Sequence, residues 1–210
     1  MRNRLAMLLA VTVVLSLAAP VAQAQSSMLG RPALLSTNNG PSDAFQVRYA
    51  SNLNIGDSVI NITNAGSQNA DATGNICANV YVFSPDEQMI ACCSCVVTPN
   101  GLVNLSAQRD LISNTLTPAV PSAIVVKLLA TRGTCNAATP TASRLAPGMR
   151  AWGTTLHATN VADTYAVTET EFSPATLSST ELATLTSECG FIQQVGSGYG
   201  ICRSCRLGGL

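Results

Sequence analysis

The chain has 210 residues, with 11 basic and 11 acidic side chains, one histidine, 10% charged residues and 4% aromatic ones. So sparse and balanced a charge set builds no basic stripe, which argues against nucleic acid as a partner. One histidine narrows hydrolase chemistry, and the scarcity of aromatics means that any core is built mainly from Val, Ile, Leu and Ala.

Residues 1–24 read as a secretory leader. Arg2 and Arg4 supply a positive start, Leu5 to Ala19 is an apolar run, and Ala22-Gln23-Ala24 is a small-x-small cleavage site. The run is short for a span of about 20 residues, and no later segment is long and apolar enough to cross a bilayer. The expected address is secreted: periplasm, cell surface or extracellular medium. Losing Arg2 and Arg4 makes the mature chain slightly acidic.

Residues 25–43 are expected to form a flexible N-terminal arm. Gly30, Pro32 and Asn38-Asn39-Gly40-Pro41 are breakers, and only Met28, Leu29, Leu34 and Leu35 could pack. From residue 44 to 210 the pattern is that of one β-rich domain. Phe45, Val47 and Tyr49 alternate with Gln46 and Arg48, which predicts a half-buried strand with the apolar set inward. Ser58 to Thr63, Ile76 to Phe83 and Met89 to Val97 are further strands. The Asn100-Gly101 pair suggests a hairpin returning through Leu102 to Leu105, hence a three-stranded meander. Ala123 to Ala130 is read as a strand from its β-branched residues. Ala151 to Thr159 and Tyr165 to Phe172 follow. Ser178-Ser179-Thr180-Glu181 is a capping box that opens a helix carrying Leu182, Leu185 and Cys189 on one face, with Gly190 as its stop. Gly196 to Gly200 reads as a flexible link to the tail. The expected fold is mainly β: a single β-sandwich-like domain with one late α-helix, stapled by disulfides.

The staples are the eight cysteines, Cys77, Cys92, Cys93, Cys95, Cys135, Cys189, Cys202 and Cys205. In an exported chain an even set implies disulfides, whose connectivity stays open. On a strand, Cys93 and Cys95 face one side and Cys92 and Ser94 the other, so one strand could be tied on both faces. Cys202-x-x-Cys205 with two clustered cysteines is a rival four-thiolate zinc reading. It lacks two separate knuckles, and the oxidising compartment disfavours it. A redox-active CxxC normally opens a helix, and none can follow here.

Catalytic constellations are weak. Gly56-Asp57-Ser58 is similar to the start of the GDS-type serine esterase signature, but Thr154 stands where that family has Asp before its histidine, here His157. Glu169 and Glu171 share one side of a strand and read as a solvated face. Asp86-Glu87 reads as a solvated turn rather than a calcium ligand pair, and Trp152 as core rather than a sugar platform. No catalytic, cofactor-binding or metal residue is assigned.

Cys77 within ICANVYVF, the CCSC run, the NGL turn and the ECGFIQ…CxxC end resemble a group of small exported cysteine-containing proteins of environmental bacteria, over roughly residues 45–205. The resemblance implies a shared cysteine framework and no catalytic residue. The expected function is a non-enzymatic structural or cell-surface protein that assembles into extracellular fibres or layers. Its partners would be itself or other envelope proteins. The alternative is a secreted binding module for a glycan, small ligand or envelope protein.

Overall fold

The computed structural model describes residues 43–66 and 71–205. The expected leader, and the arm up to residue 42, lie outside the described residues. Nine strands form two antiparallel sheets: β1 (Phe45–Ala50), β2 (Val59–Asn64), β3 (Ile76–Phe83), β4 (Met89–Val97), β5 (Leu102–Ser106), β6 (Ile124–Thr131), β7 (Met149–Ala158), β8 (Tyr165–Glu171) and β9 (Ser173–Pro174). The first sheet has the order β4-β3-β6-β1-β9 and the second β5-β2-β7-β8. One α-helix, α1 (Ser179–Val195), follows. The β-rich sandwich with a late helix, read from the strand periods, is the observed architecture.

The first sheet is the middle layer. Ala78, Val80 and Val82 of β3 and Val126 and Leu128 of β6 meet Ile60, Ile62, Leu105, Met149 and Ala151 of the second sheet. On the opposite face Phe45, Tyr81, Phe83, Cys92 and Leu129 pack under Leu185, Cys189 and Ile192 of α1. Burial on both faces is why β3 and β4 read as unbroken apolar runs. Each fully buried Ile, Leu or Val contributes about 1.5–3 kcal/mol, so a charge at Ile62 or Val80 would break the sandwich. Most buried polar groups are paired, Gln46 Oε1 and Glu188 Oε2 being exceptions among the described residues. Asn79 donates to the Leu129 carbonyl and Thr131 Oγ1 and accepts from Ser94, and the Tyr81 hydroxyl donates to the Ala137 carbonyl at 2.8 Å. Burial pushes the Tyr81 phenol well up.

Four sequence expectations need correction. In β1 the polar phase is the sandwich-facing one: Gln46 and Arg48 are buried between the sheets, while Tyr49 is 61% exposed. Both polar side chains find partners there, Gln46 on the Met149 carbonyl and Arg48 on β7 and β8. The meander is not formed, because β5 leaves β4 and pairs with β2 in the other sheet. The Asn100 N–H bonds to the Asn64 carbonyl, which commits the turn to that crossing. The helix runs through Gly190 and stops at Gly196 (φ +63°), since Leu185, Cys189 and Ile192 hold one buried stripe. Ser178 caps it by accepting from the Glu181 N–H, but the Glu181 carboxylate pairs with Lys127 at 2.6 Å instead of reaching back. Finally, the run from Gly196 to Gly200 is fastened: Asn114 donates to the Gly198 carbonyl, and its own carbonyl accepts the Gly200 N–H, both at 2.7 Å.

Candidate functional site

All eight predicted cysteines are paired: Cys77–Cys135, Cys92–Cys189, Cys93–Cys202 and Cys95–Cys205. Their alternation along β4 decides the partners. Cys93 and Cys95 face the sandwich interior and take the tail, and Cys92 faces outward and takes α1. Cys202 and Cys205 each bond a β4 cysteine and not each other, so in this pairing neither offers a thiolate to a metal ion or a partner to a CxxC redox pair. Four disulfides mark a chain that matures in an oxidising, extracytoplasmic compartment. No helix among the described residues is long and apolar enough to cross a membrane.

The disulfides also manage a sheet edge. Strand β4 would otherwise present unpaired backbone groups, the usual route to unwanted association. The tail covers part of it: the Cys92 N–H bonds to the Gly200 carbonyl at 2.8 Å and Ile201 lies in a parallel bridge with Cys92, while the Leu116 N–H, from the segment before β6, bonds to the Ile90 carbonyl. Gly200 has φ +76°, and a β-carbon there would stand 2.8 Å from Ile192 Cγ2, so only glycine permits the approach. Asp110 anchors the same segment by accepting from Ser204 and, through its carbonyl, from the Arg203 N–H. The other edge of that sheet is β9, two residues long and ending in Pro174.

The second sheet is treated differently. Among the described residues no layer covers its outer face. Across it run Leu102 and Asn104 of β5, Asn61 and Thr63 of β2, Arg150, Trp152 and Leu156 of β7, and Tyr165, Val167, Glu169 and Glu171 of β8. Trp152 is half-buried on this open face, between Asn61 and Glu171 in register, and does not belong to either core cluster. The expectation of a core tryptophan is therefore corrected. Its strand position puts it in the outward phase, opposite to Ala151 and Gly153. Asn104 donates to Asn61 at 2.7 Å, and Asn61 to Glu169 at 3.2 Å, giving a polar line across three strands.

Among the described residues β8 is an unpaired edge of this sheet, and all seven of its residues are exposed. Two bonds fix its hydrogen-bonding phase. Thr159 N–H reaches the Thr164 carbonyl, and Phe172 N–H the Ala151 carbonyl. By the alternation of an antiparallel ladder, even-numbered residues between them face β7. Tyr165, Val167, Glu169 and Glu171 then turn their N–H and C=O groups to the open side. Tyr165 and Val167 are also apolar side chains exposed by 45% and 60%. Nothing in the alternation of Tyr165 to Phe172 distinguished a free edge from an inner strand; that is a property of strand order.

Most residues weighed as catalytic or metal candidates have local partners. Asp57 accepts from the Ser106 hydroxyl and the Gln108 N–H, capping the π-helical turn Ala107–Leu111, and Ser58 is buried with its hydroxyl on the Thr154 carbonyl. His157 lies exposed on the β7–β8 hairpin, bonded to Thr168 at 2.9 Å. Asp86 accepts from Ser84 in the β3–β4 turn, and Glu169 and Glu171 are solvated. A concavity of about 780 Å³ between α1 and residues 136–139 is lined by neutral groups such as Asn136, Thr139, Phe191 and Gln194.

No protein-family model and no curated protein matches the chain. Among solved structures it is similar to one described as the crystal structure of Thermotoga maritima 1070, at 10% identity, covering 67% of this chain and 99% of that one, with a TM-score of 0.40.

Proposed function

We propose that this chain is an exported, non-enzymatic structural protein of the cell surface that assembles with copies of itself into extracellular fibres or layers. One observation carries the reading: where the first sheet has its tail strapped to β4 and a two-residue strand, β9, at its other edge, β8 is seven residues long and, among the described residues, exposed throughout and unpaired along its outer edge. A free strand without lysine or proline is a template for another strand. The disulfide framework supports it, since a subunit outside the cell needs a stable fold without chaperones. Sedimentation of the mature, oxidised protein across a wide concentration range tests it, together with electron microscopy of native surface material. Association that grows with concentration and filaments or layers containing the chain are expected. A protein that stays monomeric throughout, with no such material, would sink the reading.

A second reading, a secreted glycan-binding module, is favoured by Trp152 on the open face beside Asn61 and Glu171. An indole can stack on a sugar ring while amides and carboxylates take its hydroxyls. Trp152→Ala should then abolish retention on a polysaccharide that retains the parent protein. Equal migration of both through a panel of polysaccharide gels removes this reading.

A further inference from the structure

We propose that residues 29–35 of one copy, Leu29-Gly30-Arg31-Pro32-Ala33-Leu34-Leu35, add antiparallel to the free edge of β8 in the next copy, with Arg31 opposite Glu169. The inference rests on the self-assembly reading above and names its donor and acceptor.

Backbone phase comes first. The open side of β8 offers the N–H and C=O groups of Tyr165, Val167, Glu169 and Glu171, set by the bonds at Thr164 and Phe172. A donor strand must meet them with residues that have an N–H. Pro32 has none, so it must sit in the other phase, pointing away from β8. That puts Leu29, Arg31, Ala33 and Leu35 in the bonding phase, opposite the odd-numbered residues of β8. Facing residues share one side of a sheet, and the odd residues of β8 lie on the outer face with Trp152. With Arg31 opposite Glu169, Ala33 falls opposite Val167 and Leu35 opposite Tyr165. The cation meets a carboxylate, and two exposed apolar side chains gain apolar neighbours. Pro32, on the new outer edge, would stop a further strand from adding there.

Reach decides between the chain's own β8 and a neighbour's. Asp43 is fixed beside the start of β7, its carboxylate accepting from the Gly148 N–H at 2.9 Å. Leu35 would stand beside Tyr165, which pairs with Ala158 at the other end of the ten-residue β7. That strand is about 30 Å long at ~3.3 Å per residue. The stretch from Leu35 to Asp43 covers at most about 29 Å when fully extended at ~3.6 Å per residue. It also contains Asn38-Asn39-Gly40-Pro41, which favours a turn over full extension. The chain's own edge would therefore need a fully straightened linker, which these turn residues oppose, so the edge of a neighbouring copy is the favoured acceptor.

The test uses the full mature chain. Val167→Pro removes an N–H that faces the open side, so the β7–β8 ladder survives while the acceptor edge is blocked. Arg31→Glu spoils the donor by setting two carboxylates opposite each other. Each variant should keep the parent's circular dichroism and lose self-association by at least about tenfold. Mixed one to one, they should form heterodimers and nothing larger, because only one donor and one acceptor remain intact. If Val167→Pro perturbs the fold, Glu169→Arg replaces it: alone it should fail to associate, and mixed with Arg31→Glu the swapped charges restore both pairings, so that alternating chains grow beyond the heterodimer. A mixture that stays unassociated, or variants that assemble like the parent, overturns the pairing while leaving self-assembly itself standing. A parent protein that never associates overturns the self-assembly reading instead.

Discussion

The Nη1 atom of Arg48 stands 2.5 Å from where a β-carbon on Gly153 would lie. Arg48 reaches from β1 across the sandwich interior. It donates to Thr155 Oγ1 at 3.0 Å, to the Thr154 carbonyl and to Thr170 Oγ1, and it lies 6.0 Å from the Phe172 ring centre. Burial lowers its affinity for the proton, with Glu169 acting in the opposite direction. Gly153 exists to leave room for this guanidinium. Gly153→Ala should force Arg48 off its three acceptors and cost about 1–3 kcal/mol in chemical denaturation. Unchanged stability would show that the arginine relocates freely.

The same arginine offers a contrast. A buried cation held by neutral acceptors is costly to desolvate, so a shape-matched apolar replacement loses little. Arg48→Met should leave stability within about 1 kcal/mol of the parent, while Arg48→Ala should lose about 2–4 kcal/mol through the cavity and the stranded hydroxyls. Equal losses in the two variants would mean that charge, not volume, holds the site.

Arg48 also marks where reading the chain ran out. The alternation in β1 was legible, and so were strand positions, the helix cap at Ser178 and the two-faced use of β4. These depend on local period and on side-chain chemistry. The phase of β1 was not legible, because whether a polar face is solvated depends on which sheet covers it. Trp152 was misplaced for the same reason, since its exposure depends on no layer among the described residues covering β2, β5, β7 and β8. Strand order, which makes β8 a free edge and sends β5 away from β4, is a long-range choice with no local signature at Tyr165 or Leu102.

The three bridges from β4 are nested, so they should not contribute equally. Cys92–Cys189 spans a sequence separation of 97. With that bond in place, Cys93–Cys202 closes only a further loop of about 15 residues, which on loop entropy contributes about 3 kcal/mol. Cys95–Cys205 then closes a still smaller one. Replacing Cys95 and Cys205 by Ser should therefore cost less than about 3 kcal/mol, and removing all three bridges far more than the sum of the single removals. Denaturant titration of the series measures this. Simple additivity would show that the bridges act through local strain or packing instead. The intact protein should contain no free thiol when titrated under denaturing conditions.

Acid should loosen the tail before the core. Burial raises the Asp110 carboxyl, but Arg109, the Ser106 N–H and the Ser204 hydroxyl outweigh it and hold the group below the usual aspartate range. A lowered folded-state pKa contributes stability that is present above the unfolded value, near 3.9, and is lost as pH falls through the folded one. Hydrogen exchange should show the Ile201–Cys205 amides losing protection below about pH 4, ahead of β3 and β6. Asp110→Asn should show the looser tail at neutral pH as well. Uniform loss of protection across the domain would rule out this anchor.

Glu188 on α1 predicts the opposite pH dependence. One carboxylate oxygen, Oε2, is buried and accepts no hydrogen bond among the described residues. Desolvation raises its pKa. Lys127 works against that rise, and Glu181, which already occupies Lys127, adds to it. A raised carboxyl favours folding fully below its unfolded value, near 4.3, and that advantage disappears as pH climbs through the folded value. At neutral pH the charged form is thus a burden to the helix packing over Phe83 and Leu129. Glu188→Gln keeps the shape and removes the charge. It should raise the midpoint of thermal unfolding at pH 7, and the gain should shrink to nothing as the pH approaches 4. Because the group is partly solvated, the expected gain at pH 7 is a few degrees at most, in line with about 1 kcal/mol or less for a domain of this size. A variant less stable than its parent at pH 7 would mean that Glu188 is held by Lys127 as firmly as Glu181 is.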